Sequence, residues 1–177
     1  MPVSPAIPTF TLHALPVLSQ TAIIDTMSFL LDLTPSVVPF NANTISLLQD
    51  ALQIAEQDNN VLLHAFSQYH RHPHTQASDI QVLRESIIVL LTNAAMSCSE
   101  LQGLEHQDLR NKIIGVLLKI LTSREKRAVE LAKTGLSRML VQHKLPKDLL
   151  QHSLRPTLLN LADYRKLTVP LLEGLGR

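Results

Sequence analysis

The sequence predicts an all-α protein, an α-solenoid of stacked antiparallel helix pairs, and three observations lead there. Apolar residues make up 45% of the 177 residues but aromatics only 3%, with no Trp. The apolar mass is therefore Leu, Ile, Val and Ala, which suits helix packing. Apolar positions recur at helical spacing along most of the chain, and no strand pattern competes. Finally, a faint self-similarity near 40 residues runs through the C-terminal part.

Residues 1–14 are a Pro-rich, flexible lead-in, with three prolines in the first eight residues. Leu15–Leu33 reads as a helix: Pro16 suits its first turn, and Val17, Ile24, Met27, Leu30 and Leu31 keep helical spacing. "TPSVVPFNAN" breaks the pattern, and Asn43 is the expected N-cap of Thr44–Gln57, where Ile45, Leu48, Leu52 and Ala55 form a stripe. Asn59–His70 continues as helix, and "RHPHTQAS" is a loop. Ser78 with Gln81 three residues on predicts a capping box opening Asp79–Cys98. Ile87, Ile88, Val89, Leu90 and Leu91 make that helix apolar nearly all round, so it is expected to be deeply packed. His106–Ser123 and Arg124–His143 form the next pair, with Ser123 as a cap. Two further helical stretches follow, with Pro146 at a first helical position.

The repeat is clearest late in the chain. Leu118, Leu121, Ser123 and Val129 align with Leu158, Leu161, Asp163 and Val169 at an offset of 40, and "GLSR" from Gly135 aligns with "GLGR" from Gly174. Two helices in about 40 residues is the range of HEAT and armadillo units. Such a unit buries its apolar face only against neighbours, so units stack. Gly135 and Gly174 are read as close helix contacts, each bought at about 1 kcal/mol of helix propensity. Pro156 is read as the kink of a first helix, which would otherwise cost about 3 kcal/mol, and Asp163 as a turn cap. Residues 15–104 are then a helical segment of divergent repeats, and 105–177 two HEAT-like pairs, the last truncated.

Charge divides the chain. Up to Leu104 there are 2 Lys/Arg against 8 Asp/Glu, a net of −6; from Glu105 onward there are 14 against 7, a net of +7, giving the overall +1. Neither half is basic enough to imply nucleic acid, so no direct nucleic-acid contact is expected. No apolar run reaches the roughly 18–20 residues that span a bilayer, so no membrane partner is expected either. Cys98, the only cysteine, has no disulfide partner within the chain and reads as a buried thiol in a reducing compartment.

Arg124, Lys126, Arg127, Lys133, Arg155, Arg165 and Lys166 form a candidate basic interaction face, a complement to acidic segments; interleaved Glu125, Glu130 and Asp148 support the competing reading of a solvated helix face. His64, His70, His72 and His74 lie close together, and His70, His72 and His74 are candidate metal ligands. They straddle Pro73 in a loop with no Cys or carboxylate at ligand spacing, so a solvated loop is the default and no metal or other cofactor is assigned. No glycine-rich phosphate loop, GxSxG or HExxH occurs, and Cys98 sits in an apolar setting, so no catalytic residue is assigned.

The segment "KLPKDLLQHSLRPTLLNLADYRKLTVPLLEGLGR" (Lys144–Arg177) resembles the HEAT-repeat region of the TRRAP family, giant pseudokinases related to the phosphatidylinositol-3-kinase-like kinases; "RNKIIGVLLKIL" resembles that family's upstream helix. The resemblance is specific from about Asp108 to Arg177. It implies a nuclear, non-enzymatic scaffold segment of histone acetyltransferase coactivators of the SAGA and NuA4 types. The implied partners are coactivator subunits and acidic transcriptional activators. It also implies a fragment of a far longer chain. The alternatives are a HEAT segment of an active kinase of that superfamily or of a nuclear transport receptor, and a small helical metalloprotein built on the histidine cluster.

Overall fold

The computed structural model describes residues 12–57, 59–69 and 76–142, with single helical positions at 147, 148, 151, 155, 159 and 169. Seven α-helices occur among the described stretches: α1 Val17–Leu33, α2 Ala42–Glu56, α3 Asn59–Tyr69, α4 Ala77–Ser97, α5 Ser99–Gln102, α6 Gln107–Ile120 and α7 Lys126–Gln142. Short 3-10 turns at Leu12–Ala14, Pro35–Val37 and Leu104–His106 punctuate them, and no strand occurs among the described residues. Leu12 is fully buried, and its N–H donates to Asp50 Oδ2 of α2 at 2.8 Å.

Helix starts follow local chemistry and correct two expectations. The cap of α2 is Asn41, two residues before the expected Asn43: its Oδ1 accepts from the N–H groups of Asn43 at 3.0 Å and Thr44 at 3.1 Å. That satisfies two of the donors a helix start leaves open. At α4 the expected Ser78–Gln81 box gives way to Gln76 and Asp79, whose carboxylate accepts from the Gln76 N–H at 2.9 Å. An acidic side chain in the first turn also complements the helix dipole. Before α7, Ser123 Oγ accepts from the Glu125 N–H at 3.2 Å.

α4 is the centre of the core. Ile80, Leu83, Ile87, Ile88, Leu90, Leu91 and Ala94 are all essentially inaccessible, and only Val89 of the expected apolar run reaches solvent. α1 and α7 pack on opposite flanks of α4, while α2 and α6 touch each other and close its inner face. The helices therefore form two layers, α1–α4–α7 and α2–α6.

Directions follow from cross-helix contacts. Arg84 meets Glu125, Glu85 meets Arg127, and Thr92 lies against Gly135, offsets of 41, 42 and 43 residues. A nearly constant offset over two turns requires parallel helices. α1 meets α4 at an offset of 65, where Asn93 Nδ2 donates to Ser28 Oγ at 3.0 Å and to Ser28 O at 3.2 Å. Further along in the same direction Asp32 of α1 meets Arg138 of α7, which makes α1 parallel to both. The longer spacing reflects α3 and its connections, inserted between α2 and α4. Within a unit the helices reverse: five residues, Leu121–Glu125, turn α6 back into α7, and the C-terminal Ala55 of α2 meets Arg84 near the start of α4. Antiparallel pairs whose equivalent helices stack in parallel constitute an α-solenoid.

Candidate interaction surfaces

Inter-unit geometry is set by two buried contacts. Arg84 Nη1 donates to Glu125 Oε1 at 2.7 Å and Nη2 to Ala55 O at 3.3 Å, with the guanidinium largely shielded from water. One cation thus satisfies the carbonyl end of α2 and a carboxylate at the start of α7, both favourable positions for their charges. Near the other end, Gly135 presses against Thr92: a Cβ on Gly135 would lie 2.8 Å from Thr92 Cγ2 and collide with Oγ1. The close approach is to α4 of the neighbouring unit, rather than to α6 of the same pair. Thr92 Oγ1 is itself satisfied, donating to Ile88 O at 2.8 Å.

The sequence-selected basic residues divide by location. Arg124, Lys126, Arg127, Lys133 and Arg155 are exposed, whereas Arg165 and Lys166 lie outside the described residues. Arg127 Nε approaches Glu85 Oε2 at 3.9 Å, and the nearby Arg138 approaches Asp32 of α1 at 3.5 Å. Part of the basic charge is therefore directed at acidic groups of the N-terminal half, in pairs exposed enough to contribute little. Arg124, just before α7, and Lys126 and Lys133 on it are exposed and give α7 a cationic outer face, interrupted by Glu130.

The outer side of α1 is apolar. Ala22, Ile23, Thr26, Met27, Leu30 and Leu47 of α2 line an open groove of about 410 Å³, flanked by exposed Leu18 and Phe29. α1 therefore carries two apolar sides, one on α4 and one half-buried along an open groove, whereas a helix apolar all round is normally enclosed.

The metal candidates His70, His72 and His74 lie outside the described residues, and His64 is exposed on α3. Among the described residues no group of three His, Cys, Asp or Glu is placed to hold a metal ion. Pro156, Asp163 and Gly174 also lie outside the described residues, and Val169 is helical and exposed. Cys98, at the end of α4, is buried; desolvation first, and the nearby Glu100 carboxylate second, raise its pKa from 9.0 to about 11. It is a protonated, inert thiol at neutral pH. No helix among the described residues is long and apolar enough to cross a membrane.

The family model described as the Tra1 HEAT repeat ring region matches residues 1–177. The chain is 32% identical, over its full length, to the "Probable transcription-associated protein 1" of Dictyostelium discoideum. It is 32% identical over 94% of its length to the SAGA complex/NuA4 acetyltransferase complex subunit Tra1 of Schizosaccharomyces pombe. The Saccharomyces cerevisiae subunit of the same description is 29% identical, again over 94% of the chain. The chain spans only 4% of the length of each of these relatives. No solved structure matches. The likeness extends through the acidic N-terminal half, well beyond the stretch from Asp108 onward where the sequence motifs are specific.

Proposed function

Because the chain belongs to the Tra1 HEAT repeat ring family, we propose that it is a non-enzymatic scaffold segment of a TRRAP-like transcription coactivator. It would work in the nucleus, inside histone acetyltransferase assemblies of the SAGA and NuA4 types. The observation that carries this reading is the whole-length match to relatives described as subunits of those complexes. The architecture supports it, since parallel-stacked helix pairs present extended surface for partners. The match favours this family over the HEAT segments of an active kinase or a nuclear transport receptor.

Affinity-tagging the polypeptide that carries these residues, in its own cells, tests the reading. Histone acetyltransferase and adaptor subunits should co-purify with it from nuclear extract. Assembly with none of them would overturn it.

A finer part of the same reading concerns activators. The cationic outer face of α7, with Arg124, Lys126 and Lys133 exposed, complements an acidic activation segment and would steer its approach. In fluorescence anisotropy, an acidic peptide should bind the intact protein in a strongly salt-dependent way. The double variant Lys126→Glu, Lys133→Glu should weaken binding by roughly tenfold. Unchanged binding would remove this face from activator recruitment.

A further inference from the structure

The two rims of the α1–α4–α7 layer differ in chemistry. One rim holds the starts of α4 and α7 and the end of α2, with the Arg84–Glu125 pair buried between them. The other holds the C-terminal ends of α1 and α4 and the two linkers that leave them, residues 34–41 and 98–106. These linkers touch: the Phe40 and His106 rings meet edge to face, 5.0 Å between centroids. On this joined surface Leu33 is 61% exposed, Val37 66% and Leu104 89%. Single exposed apolar residues are ordinary, but three large ones carried by a helix end and two linkers that meet are the kind of feature that marks a contact site.

The charge around the patch is predominantly negative. Asp32, Glu100, Glu105 and Asp108 are all exposed on the same two linkers and their flanking turns. Among the described residues two arginines reach this rim: Arg138, already directed at Asp32 at 3.5 Å, and Arg110, half-buried in the first turn of α6. The four carboxylates outnumber them, and Lys112 sits more than a turn beyond Asp108. We propose that this rim docks a basic amphipathic helix of a partner subunit, one that places two or three large apolar side chains on Leu33, Val37 and Leu104 and flanks them with Lys or Arg. The apolar side chains supply binding by desolvation, and the four carboxylates supply orientation and the choice of a cationic partner. An acidic segment is repelled here, so the surface goes beyond the activator face of α7 and has the opposite selectivity.

The test uses the complete polypeptide in its purified complex. A photo-reactive side chain placed at Val37 or at Leu104 should cross-link to a helical segment that carries net positive charge and Leu or Phe at helical spacing. Cross-links to an acidic segment, to another part of the same polypeptide, or to nothing would each overturn the proposal. In parallel, a designed Lys/Leu amphipathic helical peptide is titrated against the complete polypeptide. Leu104→Ser combined with Val37→Ser should weaken it at least tenfold, and Glu105→Lys with Asp108→Lys should do the same. These side chains are exposed, so circular dichroism should show unchanged folding. Equal affinity in all three proteins, or equal binding of the charge-inverted Glu/Leu peptide, would also overturn it. Loss of acetyltransferase subunits from the complex would instead bear on the scaffold reading and leaves these peptide results independent.

Discussion

Helix α4 is wrapped by α1, α2, α3, α6 and α7, and its apolar residues from Leu83 to Ala95 are inaccessible except Val89. Helix α1 is at least as apolar around its circumference, yet it packs mainly on α4 and leaves Ile23, Met27 and Leu30 along an open groove. Leu18 and Phe29 stand in water beside it. The two helices share a composition and differ in neighbours. An apolar circumference therefore reports how many neighbours a helix is built to have, and its place in the stack decides how many are present.

Truncating the centre of α4 should have the largest effect. Leu91→Ala should cost about 2–5 kcal/mol in urea unfolding of the 177-residue chain, whereas Leu18→Ala should stay within about 0.5 kcal/mol. Equal costs would erase the distinction between the two helices. The bare side of α1 should instead show itself in association. The chain should self-associate in sedimentation velocity, and Ile23→Glu with Leu30→Glu should return it to monomer without loss of helix. A strict monomer at all concentrations would mean that the groove closes by itself.

Contacts between α4 and α7 should give intermediate effects. Gly135→Ala should destabilise by about 1–3 kcal/mol, because the new methyl enters space held by Thr92. Thr92→Ala in the same chain should recover much of that loss, a coupling that two independent sites would not show. For Cys98, raised above its unfolded value, the folded chain keeps a proton that the unfolded chain sheds. The Cys98 contribution to stability should be constant below pH 9 and decline between pH 9 and about 11, so Cys98→Ala should make the alkaline loss of stability shallower. Smallest of all, Arg138→Ala should change stability by no more than about 0.5 kcal/mol, since both members of the Asp32 pair are half exposed.

Much of this molecule was legible from periodicity. Helices α1, α2, α4, α6 and α7 lie close to where apolar spacing puts them, because each buries a stripe that recurs every three or four residues. Cap positions were less legible: Asn41 and Asn43 are both competent caps, and backbone geometry alone decides between them. The close contact at Gly135 could be anticipated from the repeat, but its partner Thr92 could not. Nothing local in an apolar helix announces a neighbour 43 residues away. Arg84 escaped notice for a related reason. A lone cation in α4 reads as a surface residue until the fold brings the end of α2 and the start of α7 to it. The linker rim was equally hidden, because Leu33, Val37 and Leu104 are far apart in sequence and ordinary one by one.

The near-constant spacing between α4 and α7 has a genetic reading. A stretch of 41–43 codons encodes one complete step of the stack, so copying or losing that stretch in frame would present the next helix in the register its neighbour already accepts. The α1-to-α4 step, at 65 residues, keeps the same parallel contact despite an extra helix in the loop. The gene can thus lengthen between steps, and acquire new surface there, without disturbing the contacts that hold the steps together.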